Sequence, residues 1–222
     1  MERILILGSS FPSIPLSHHL QSIGHVVTVI DDSYDHDGNS LSGLSFKCPW
    51  TVSSLSTYMK DVDFVILILP FNPPLQYKDY DNSNILSTVI SRVEVAVESL
   101  SFSRVTRFVY VGDAYSHLPH DDNYGISEEK HSSLPSSFLL GRYGEAHSRA
   151  EQVARANLSQ VASLHSVFLR PVMCKENPWF GRLVAKVEMK EVSLINDSRR
   201  SHHQFISLDN LIRVIKQVIF DL

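Results

Sequence analysis

Short apolar runs alternate with stretches of helical spacing along most of the chain. Between the runs, apolar residues recur every three or four positions, which predicts helices after the first strand and over 84–100, 143–157 and 207–222. Repeated strand–helix order predicts an α/β fold with a doubly wound, mostly parallel sheet. Five runs have the continuous apolar character of strands covered on both faces: RILIL at 3–7, VVTVI at 26–30, DFVILIL at 63–69, RFVYV at 107–111 and SVFLR at 166–170.

The composition is that of a globular protein, and it narrows the classes of partner. The 222 residues are 43% apolar and 20% charged, with a net charge of −4, so a basic nucleic-acid-binding face is not expected. The longest apolar run is about a third of a membrane span. Two cysteines cannot form a disulfide framework, which favours a reducing compartment. We expect one domain over 1–222, cytoplasmic, with no membrane span and no metal site.

The turn after the first strand carries part of a dinucleotide-binding fingerprint. The three glycines of G-x-G-x-x-G would fall at Gly8, Ser10 and Ser13, so the first alone is retained. Asp31 ends the second strand roughly 20 residues later, where an acidic side chain accepts hydrogen bonds from the adenosine ribose. An aspartate there favours NAD over NADP, because it would repel a 2′-phosphate. An ordinary strand-to-helix turn is the alternative interpretation.

Four later stretches carry a family resemblance. They are RFVYVGDAYSHL at 107–118, RYGEAHSRAEQVARAN at 142–157, SVFLRPVMCKENPW at 166–179 and HHQFISLDNLIRVI at 202–215. In this order they resemble the fifth strand, the Y-G-x-S-K helix, the L-R-P strand and the F-x-x-V-D-N-L segment of extended short-chain dehydrogenases/reductases. Their spacing resembles the 3β-hydroxysteroid dehydrogenase/isomerase-like branch, with the epimerase/dehydratase branch close behind.

The resemblance implies a catalytic tyrosine, a lysine four residues later and a serine or threonine. By position these are Tyr143, His147 and Asp113, with Ser116 as the alternative source of the hydroxyl if the loop is shifted. Histidine could lower the pKa of the phenol only if protonated, which a neighbouring Asp113 would favour, and an aspartate offers no proton to a substrate oxygen. The resemblance and the turn together imply cofactor contacts at Gly8, Ser10, Phe11, Ser13, Asp31, Pro70, Tyr143, His147 and Pro171.

Two main functional hypotheses follow. One is an NAD(P)-dependent oxidoreductase that acts on a CH–OH or carbonyl group of a small molecule, with a sterol-like substrate and a homodimer among the alternatives. The other is a catalytically inactive dinucleotide-binding or scaffold protein of the same fold. An epimerase-like enzyme that does not need the Tyr/Lys pair is a third, weaker hypothesis. Because relatives are usually longer, we expect a reduced C-terminal substrate region at about 172–222.

Overall fold

Six parallel strands form the central sheet in the part of the chain that the structure describes. The structure is a computed structural model and describes residues 1–31, 45–71, 73, 83–118, 134–161, 163–189 and 205–221. The spatial order of the strands, β3-β2-β1-β4-β5-β6, is that of a doubly wound Rossmann-like sheet, so the predicted fold class is confirmed. The strands are β1 (Arg3–Leu7), β2 (Val26–Asp31), β3 (Ser45–Lys47), β4 (Phe64–Ile68), β5 (Arg107–Val111) and β6 (His165–Leu169).

Helices cover both faces of this sheet. One face packs against α1 (Ser13–Ser22) and α6 (Leu208–Phe220), and the other against α2 (Val52–Met59), α3 (Ser83–Leu100) and α4 (Gly141–Leu158). In β1, Ile4 and Ile6 belong to the core on the side of α1 and α6, and Leu5 and Leu7 belong to the core on the side of α2, α3 and α4. The strands are therefore apolar at nearly every position, because both of their faces are buried.

Two α-helices and three short strands of the described residues are not predicted by the apolar pattern. The sequence predicts neither a strand nor a helix between β2 and β4, but this segment contains β3 and α2. Helix α2 begins at a capping box in which Thr51 and Ser54 exchange hydrogen bonds. Helix α5 (Pro178–Glu188) begins after Asn177, whose side chain accepts from the backbone of Trp179. Both helices are short, so their capping residues identify them better than periodicity does.

The region after β6 is described in part. It contains a two-residue strand pair, β7 (Met173–Cys174) and β8 (Phe205–Ile206), together with α5 and α6, while residues 190–204 lie outside the described residues. The predicted substrate region at about 172–222 therefore stays a prediction, as does the single domain. Among the described helices, none combines the length and the apolar character that a membrane crossing needs.

Strands β1 and β4 are adjacent where the strand order reverses, and Gly8 lies at this point. Gly8 follows β1 with φ +101°, and a Cβ there would lie 2.4 Å from the carbonyl oxygen of Ile68. Its N–H donates to the carbonyl oxygen of Ile30 at 2.8 Å. A glycine is therefore required between the two strands. In doubly wound sheets, the crevice outside the carboxyl ends of the strands at this reversal is the usual ligand site.

We predict that Gly8→Ala lowers the free energy of unfolding by about 2–5 kcal/mol, since it combines a positive φ with overlap against a backbone oxygen. Gly24→Ala is the matched control, because Gly24 has φ +97° and no heavy atom within 4 Å of a built Cβ. The control should lose about 1–2 kcal/mol from φ alone. Urea unfolding measures both variants. Equal losses would show that the approach of β1 to β4 is not the constraint.

Candidate functional site

A cleft opens at the carboxyl ends of the central strands. The cleft is open to solvent, and most of its lining is apolar. Phe71, which follows β4, borders it and contacts the ring of Tyr115, with ring centroids 6.2 Å apart. An apolar cleft with a few polar groups at this edge is typical of small-molecule sites. The polar side chains in its lining belong to Asp113, Tyr115, Cys174 and Asn177.

The turn after β1 is joined to the end of β2 by Ser9 and Asp31. One carboxylate oxygen of Asp31, Oδ2, accepts from the Ser9 backbone N–H at 2.8 Å and from the Ser9 hydroxyl at 2.5 Å. Asp31 is half-buried, at the place predicted for a ribose-binding acidic residue. The sequence does not identify Ser9 as its partner, because the fingerprint leaves that position unspecified. A carboxylate already holding one hydroxyl has the acceptor chemistry that ribose hydroxyls need.

The start of α1 offers few N–H donors. Ser13 is fully buried. Its hydroxyl donates to the carbonyl oxygen of Gly8 at 2.6 Å, and its backbone N–H donates to the carbonyl oxygen of Ser10 at 2.8 Å. Pro12 and Pro15 have no N–H. The serine at the third fingerprint position therefore folds its hydroxyl back into the turn. A phosphate here would meet a weaker set of donors than at a glycine-rich turn.

Tyr143 and His147 lie one turn apart on α4, with their rings stacked and their centroids 4.3 Å apart. The phenol of Tyr143 donates to the carbonyl oxygen of Pro70 at 2.5 Å, and the tyrosine is 3% exposed. This bond connects α4 to the segment after β4. A carbonyl oxygen at this distance stabilises the protonated phenol and would repel a phenolate. The phenol proton is therefore directed at the backbone.

His147 occupies the lysine position without supplying a positive charge. Burial, and then the charge of His117, lower its pKa to about 3, so the ring is neutral at pH 7. Its Nδ1 has no hydrogen-bond partner among the described residues. Asp113 is not among the groups that shift this pKa, so the condition under which His147 could assist Tyr143 is not met. A neutral ring does not lower the pKa of a phenol.

Asp113, at the predicted serine position, lines the cleft, but its oxygens are bonded to Ser116. Oδ1 accepts from the Ser116 N–H at 2.7 Å, and Oδ2 accepts from the Ser116 hydroxyl at 2.6 Å. Burial raises the pKa of Asp113, and these two bonds oppose the rise. The bonds form the turn that begins the 3-10 helix Tyr115–His117. Tyr115 is half-buried, and burial followed by the charge of Asp113 raises the pKa of its phenol.

A buried ion cluster centred on Glu151 of α4 lies behind these residues. Arg170 binds its carboxylate through two nitrogens, at 2.9 Å to Oε2 and 2.7 Å to Oε1, and Arg155 binds Oε1 at 2.7 Å. His117 Nε2 lies 3.1 Å from Oε2. Burial alone would raise the pKa of Glu151, but the bonds from His117 and Arg170 outweigh it and hold that pKa well below its usual range.

Ser148 extends this cluster towards the turn at Asp113. Its hydroxyl donates to the backbone oxygen of Ser116 at 2.9 Å and lies 3.1 Å from His117 Nδ1. Because that single proton goes to Ser116, we assign the proton of the second contact to the histidine. The other ring nitrogen, Nε2, contacts Oε2 of Glu151, so the ring of His117 connects Ser148 to Glu151. The sequence pieces Ala150-Glu151 and Leu169-Arg170-Pro171 thus meet in space, which their separate motifs do not predict.

The residues predicted from the sequence fall into three groups. The first group is the turn with its acidic partner, namely Gly8, Ser10, Phe11, Ser13 and Asp31. The second group is Tyr143 and His147 with Pro70. The third group lines the cleft and consists of Phe11, Asp113 and Pro171. Tyr143 and His147 are not among the described residues that line the cleft. The roles of all these residues in binding and catalysis stay predictions.

No protein-family model matches this sequence, and no curated protein matches it. Solved structures share its fold. The UDP-glucuronic acid 4-epimerase from Bacillus cereus, in complex with UDP-glucuronic acid and NAD, is 17% identical, with a TM-score of 0.75 over 98% of this chain and 73% of that chain. The NAD-dependent NDP-hexosamine 5,6-dehydratase TunA, involved in tunicamycin biosynthesis, is 17% identical, with a TM-score of 0.77 over 99% and 72%. MoeE5, in complex with UDP-glucuronic acid and NAD, is 20% identical, with a TM-score of 0.73 over 98% and 72%.

We predict that the stability of the protein falls in mild acid and that His147 causes part of the loss. Its pKa is depressed in the folded chain, so between pH 6.5 and about 3 the unfolded chain binds a proton that the folded chain does not. From pH 7 to pH 5 this costs about 2 kcal/mol. His147→Met, of similar volume, should lose about 2 kcal/mol less than the native chain over that interval in urea unfolding. An unchanged pH dependence would contradict a buried neutral His147.

We also predict that Glu151→Gln lowers the free energy of unfolding by about 3–5 kcal/mol, because it leaves the guanidinium groups of Arg155 and Arg170 without their buried carboxylate partner. Glu145→Gln is the control on the same helix: Glu145 binds Arg149 at 2.8 Å on a far more exposed surface. That variant should change stability by about 0.5 kcal/mol or less. Chemical denaturation at pH 7 measures both variants. Similar small losses for the two would show that the buried cluster does not organise the fold.

Proposed function

We propose that this chain is an NAD-binding protein that does not use Tyr143 as a general acid or base. The observation that carries the binding proposal is the Ser9–Asp31 pair, which places an acidic acceptor at the end of β2 beside the turn after β1. The solved structures of the same fold include complexes with NAD, which supports the choice of ligand. An aspartate at this position favours NAD over NADP.

The residues present fit one part of the cofactor well. Asp31 would hold the adenosine ribose, and the backbone of the turn from Gly8 to Phe11 would approach the diphosphate. Bound NAD would supply a hydride acceptor, or in its reduced form a hydride donor. The hydroxyl of Ser13 donates to the carbonyl oxygen of Gly8, so its proton is not available to the ligand. The fit is therefore to the adenosine and the diphosphate more than to the rest of the cofactor.

The proposal against catalysis by Tyr143 rests on its contacts with His147 and Pro70. A tyrosine that acts as a base needs a nearby positive charge to lower its pKa. Here the neighbouring ring, His147, is neutral at pH 7 because of its burial. The phenol proton is also held by Pro70. The phenol is directed at the backbone and has a neutral ring beside it, so proton exchange with a substrate has no support from these two contacts.

Oxidoreductase activity through another group is the second candidate, and Tyr115 is the observation that favours it. Tyr115 lines the described cleft and is half-buried beside Asp113. Burial and the charge of Asp113 raise the pKa of its phenol, so the hydroxyl carries a proton at pH 7. In the reducing direction it would give its proton to a carbonyl oxygen while the carbon accepts a hydride. The apolar lining favours an apolar substrate, so the 3β-hydroxysteroid dehydrogenase-like branch and a sterol-like ligand remain proposals. A nucleotide sugar, as in the solved structures, is the competing substrate class.

Calorimetric titration of the native chain with NAD+ tests the binding proposal. We expect one site, and we expect Asp31→Asn to weaken it by about tenfold or more, since a charged acceptor is lost. Asp63→Asn is the matched control: Asp63 accepts from the Arg3 N–H at 2.7 Å at the opposite edge of the sheet. The control should bind NAD+ as the native chain does.

Two outcomes would contradict parts of this proposal. No heat of binding at millimolar NAD+, together with no thermal shift, would remove the cofactor assignment. Turnover of an alcohol or ketone panel with NAD+ or NADH would show an enzyme. If that turnover survives Tyr143→Phe and is lost in Tyr115→Phe, the second candidate is correct. Turnover lost in Tyr143→Phe would contradict the assignment of Tyr143 as a structural residue.

A further inference from the structure

We infer that the cleft binds a flat aromatic compound that carries a carbonyl or hydroxyl oxygen, and that Phe71 is the residue that selects this class. This inference rests on the proposed function, because it gives the substrate class of the same site. A sterol-like ligand and a nucleotide sugar are then the wrong classes for the cleft. The observation that carries the inference is an aromatic wall of the cleft, which consists of Phe71 and Tyr115.

The backbone around Phe71 is bound on both sides by side chains of two helices. Before it, the carbonyl oxygen of Pro70 accepts from the hydroxyl of Tyr143 on α4 at 2.5 Å. After it, the carbonyl oxygen of Pro73 accepts from the indole N–H of Trp179 on α5 at 2.7 Å. The two prolines also restrict φ at their own positions. Phe71 is thereby fixed, and Tyr143 and Trp179 are its positioning residues.

The ring of Phe71 contacts two other aromatic rings. Trp179 meets it edge-on, with centroids 5.2 Å apart and planes at 76°. Tyr115 meets it at a tilt, with centroids 6.2 Å apart and planes at 51°. Both distances are in the range of attractive aromatic pairs. Trp179 is buried, whereas Phe71 and Tyr115 line the cleft, so the wall is supported from within the protein.

A fixed aromatic wall favours an aromatic ligand over a saturated one of the same size. The rest of the lining includes Ile68, Val111 and Leu211, from β4, β5 and α6, and this apolar surface favours any apolar ligand. Stacked or edge-on aromatic pairs gain free energy beyond the area that they bury, which a saturated ring does not obtain. Because Phe71 is held in place beforehand, the ligand need not order it on binding.

Tyr115 supplies a hydrogen bond at the same wall. Its side chain lines the cleft beside Asp113, and its hydroxyl carries a proton at pH 7. A phenol can donate that proton to a carbonyl or hydroxyl oxygen. The wall therefore pairs an aromatic surface with a donor, which matches an aromatic ring that bears an oxygen.

Calorimetric titration of the native chain with 2-acetylnaphthalene and 2-acetyldecalin tests the inference. The two ketones share a fused-ring skeleton and an acetyl group, and differ in that the first is flat and aromatic. We expect the aromatic ketone to bind about fivefold more tightly. In nuclear magnetic resonance spectra it should also shift the indole N–H signal of Trp179, through the contact of Trp179 with Phe71, and leave that of Trp50 unchanged.

Four variants assign the preference to the wall. Phe71→Leu keeps apolar bulk but removes the ring, so the two ketones should bind equally. Phe102→Leu is the matched control, because Phe102 is 66% exposed in the turn after α3, and it should keep the fivefold preference. Tyr115→Phe should weaken both ketones by the same factor. Tyr143→Phe should lower the preference to about twofold, whereas a role in stability alone would leave the ratio unchanged.

The outcomes separate this inference from the proposed function. Equal binding of the two ketones by the native chain, or a preference that survives Phe71→Leu, would contradict the inference and leave NAD binding untouched. Binding of UDP-glucose without binding of either ketone has the same consequence. If saturating NAD+ displaces the aromatic ketone, the aromatic wall belongs to the cofactor site, so the substrate class is wrong while NAD binding stands.

Failure of the proposed function has a different signature. If the aromatic ketone binds with the expected preference and NAD+ does not bind, the cofactor assignment fails and the ligand class of the cleft stands. If neither NAD+ nor the aromatic ketone binds, both fail. Simultaneous binding of NAD+ and the aromatic ketone, with the preference lost in Phe71→Leu, supports both.

Discussion

The carboxylate of Glu151 joins three parts of the protein around the site. It binds Arg155 within α4, Arg170 after β6 and His117 of the 3-10 helix. An isolated carboxylate at this burial would be strongly destabilising, and it is tolerated because every partner is present. The position of α4 against the sheet, and with it the positions of Tyr143, His147 and Ser148, depends on this cluster. The turn at Asp113 is fixed by the same set of contacts through Ser148 and Ser116.

The chain has the fold of the family that it resembles, but the cluster around Glu151 binds the positive charges that the expected reaction would need near Tyr143. In the family that the sequence resembles, a lysine on the tyrosine helix is expected to stabilise the phenolate. Here the lysine position holds a neutral His147, and the cationic groups near α4 are bound to Glu151. The hydroxyl of Tyr143 is used instead to connect α4 to the segment after β4. In the function we propose, Tyr143 and His147 are packing residues of the helix, whereas Asp31 and the turn at Gly8 would contact the ribose and the diphosphate of the ligand.

The fold could be predicted from the sequence further than the site could. Continuous apolar runs such as RILIL and RFVYV predict buried parallel strands, because a strand covered on both faces needs apolar residues at every position. The same pattern misses α2 and α5, which depend on Thr51 and Asn177 as caps. Gly8 and Asp31 could be identified because each directly follows or ends a predicted strand, and the ends of adjacent parallel strands lie close together in the sheet. The partners of Glu151 could not, since His117 and Arg170 come from distant parts of the sequence and meet only in the folded chain.

The most direct measurement of the central claim is a titration of the isotopically labelled chain with NAD+, followed by nuclear magnetic resonance of its backbone amides and histidine rings. We predict that the largest changes occur at Ser9, Ser10 and Asp31, and that the ring signals of His147 and the amide of Tyr143 change little. This result would place the ligand at the ends of β1 and β2, with α4 undisturbed. The largest changes at Tyr143 and His147, with little effect at Asp31, would contradict the account.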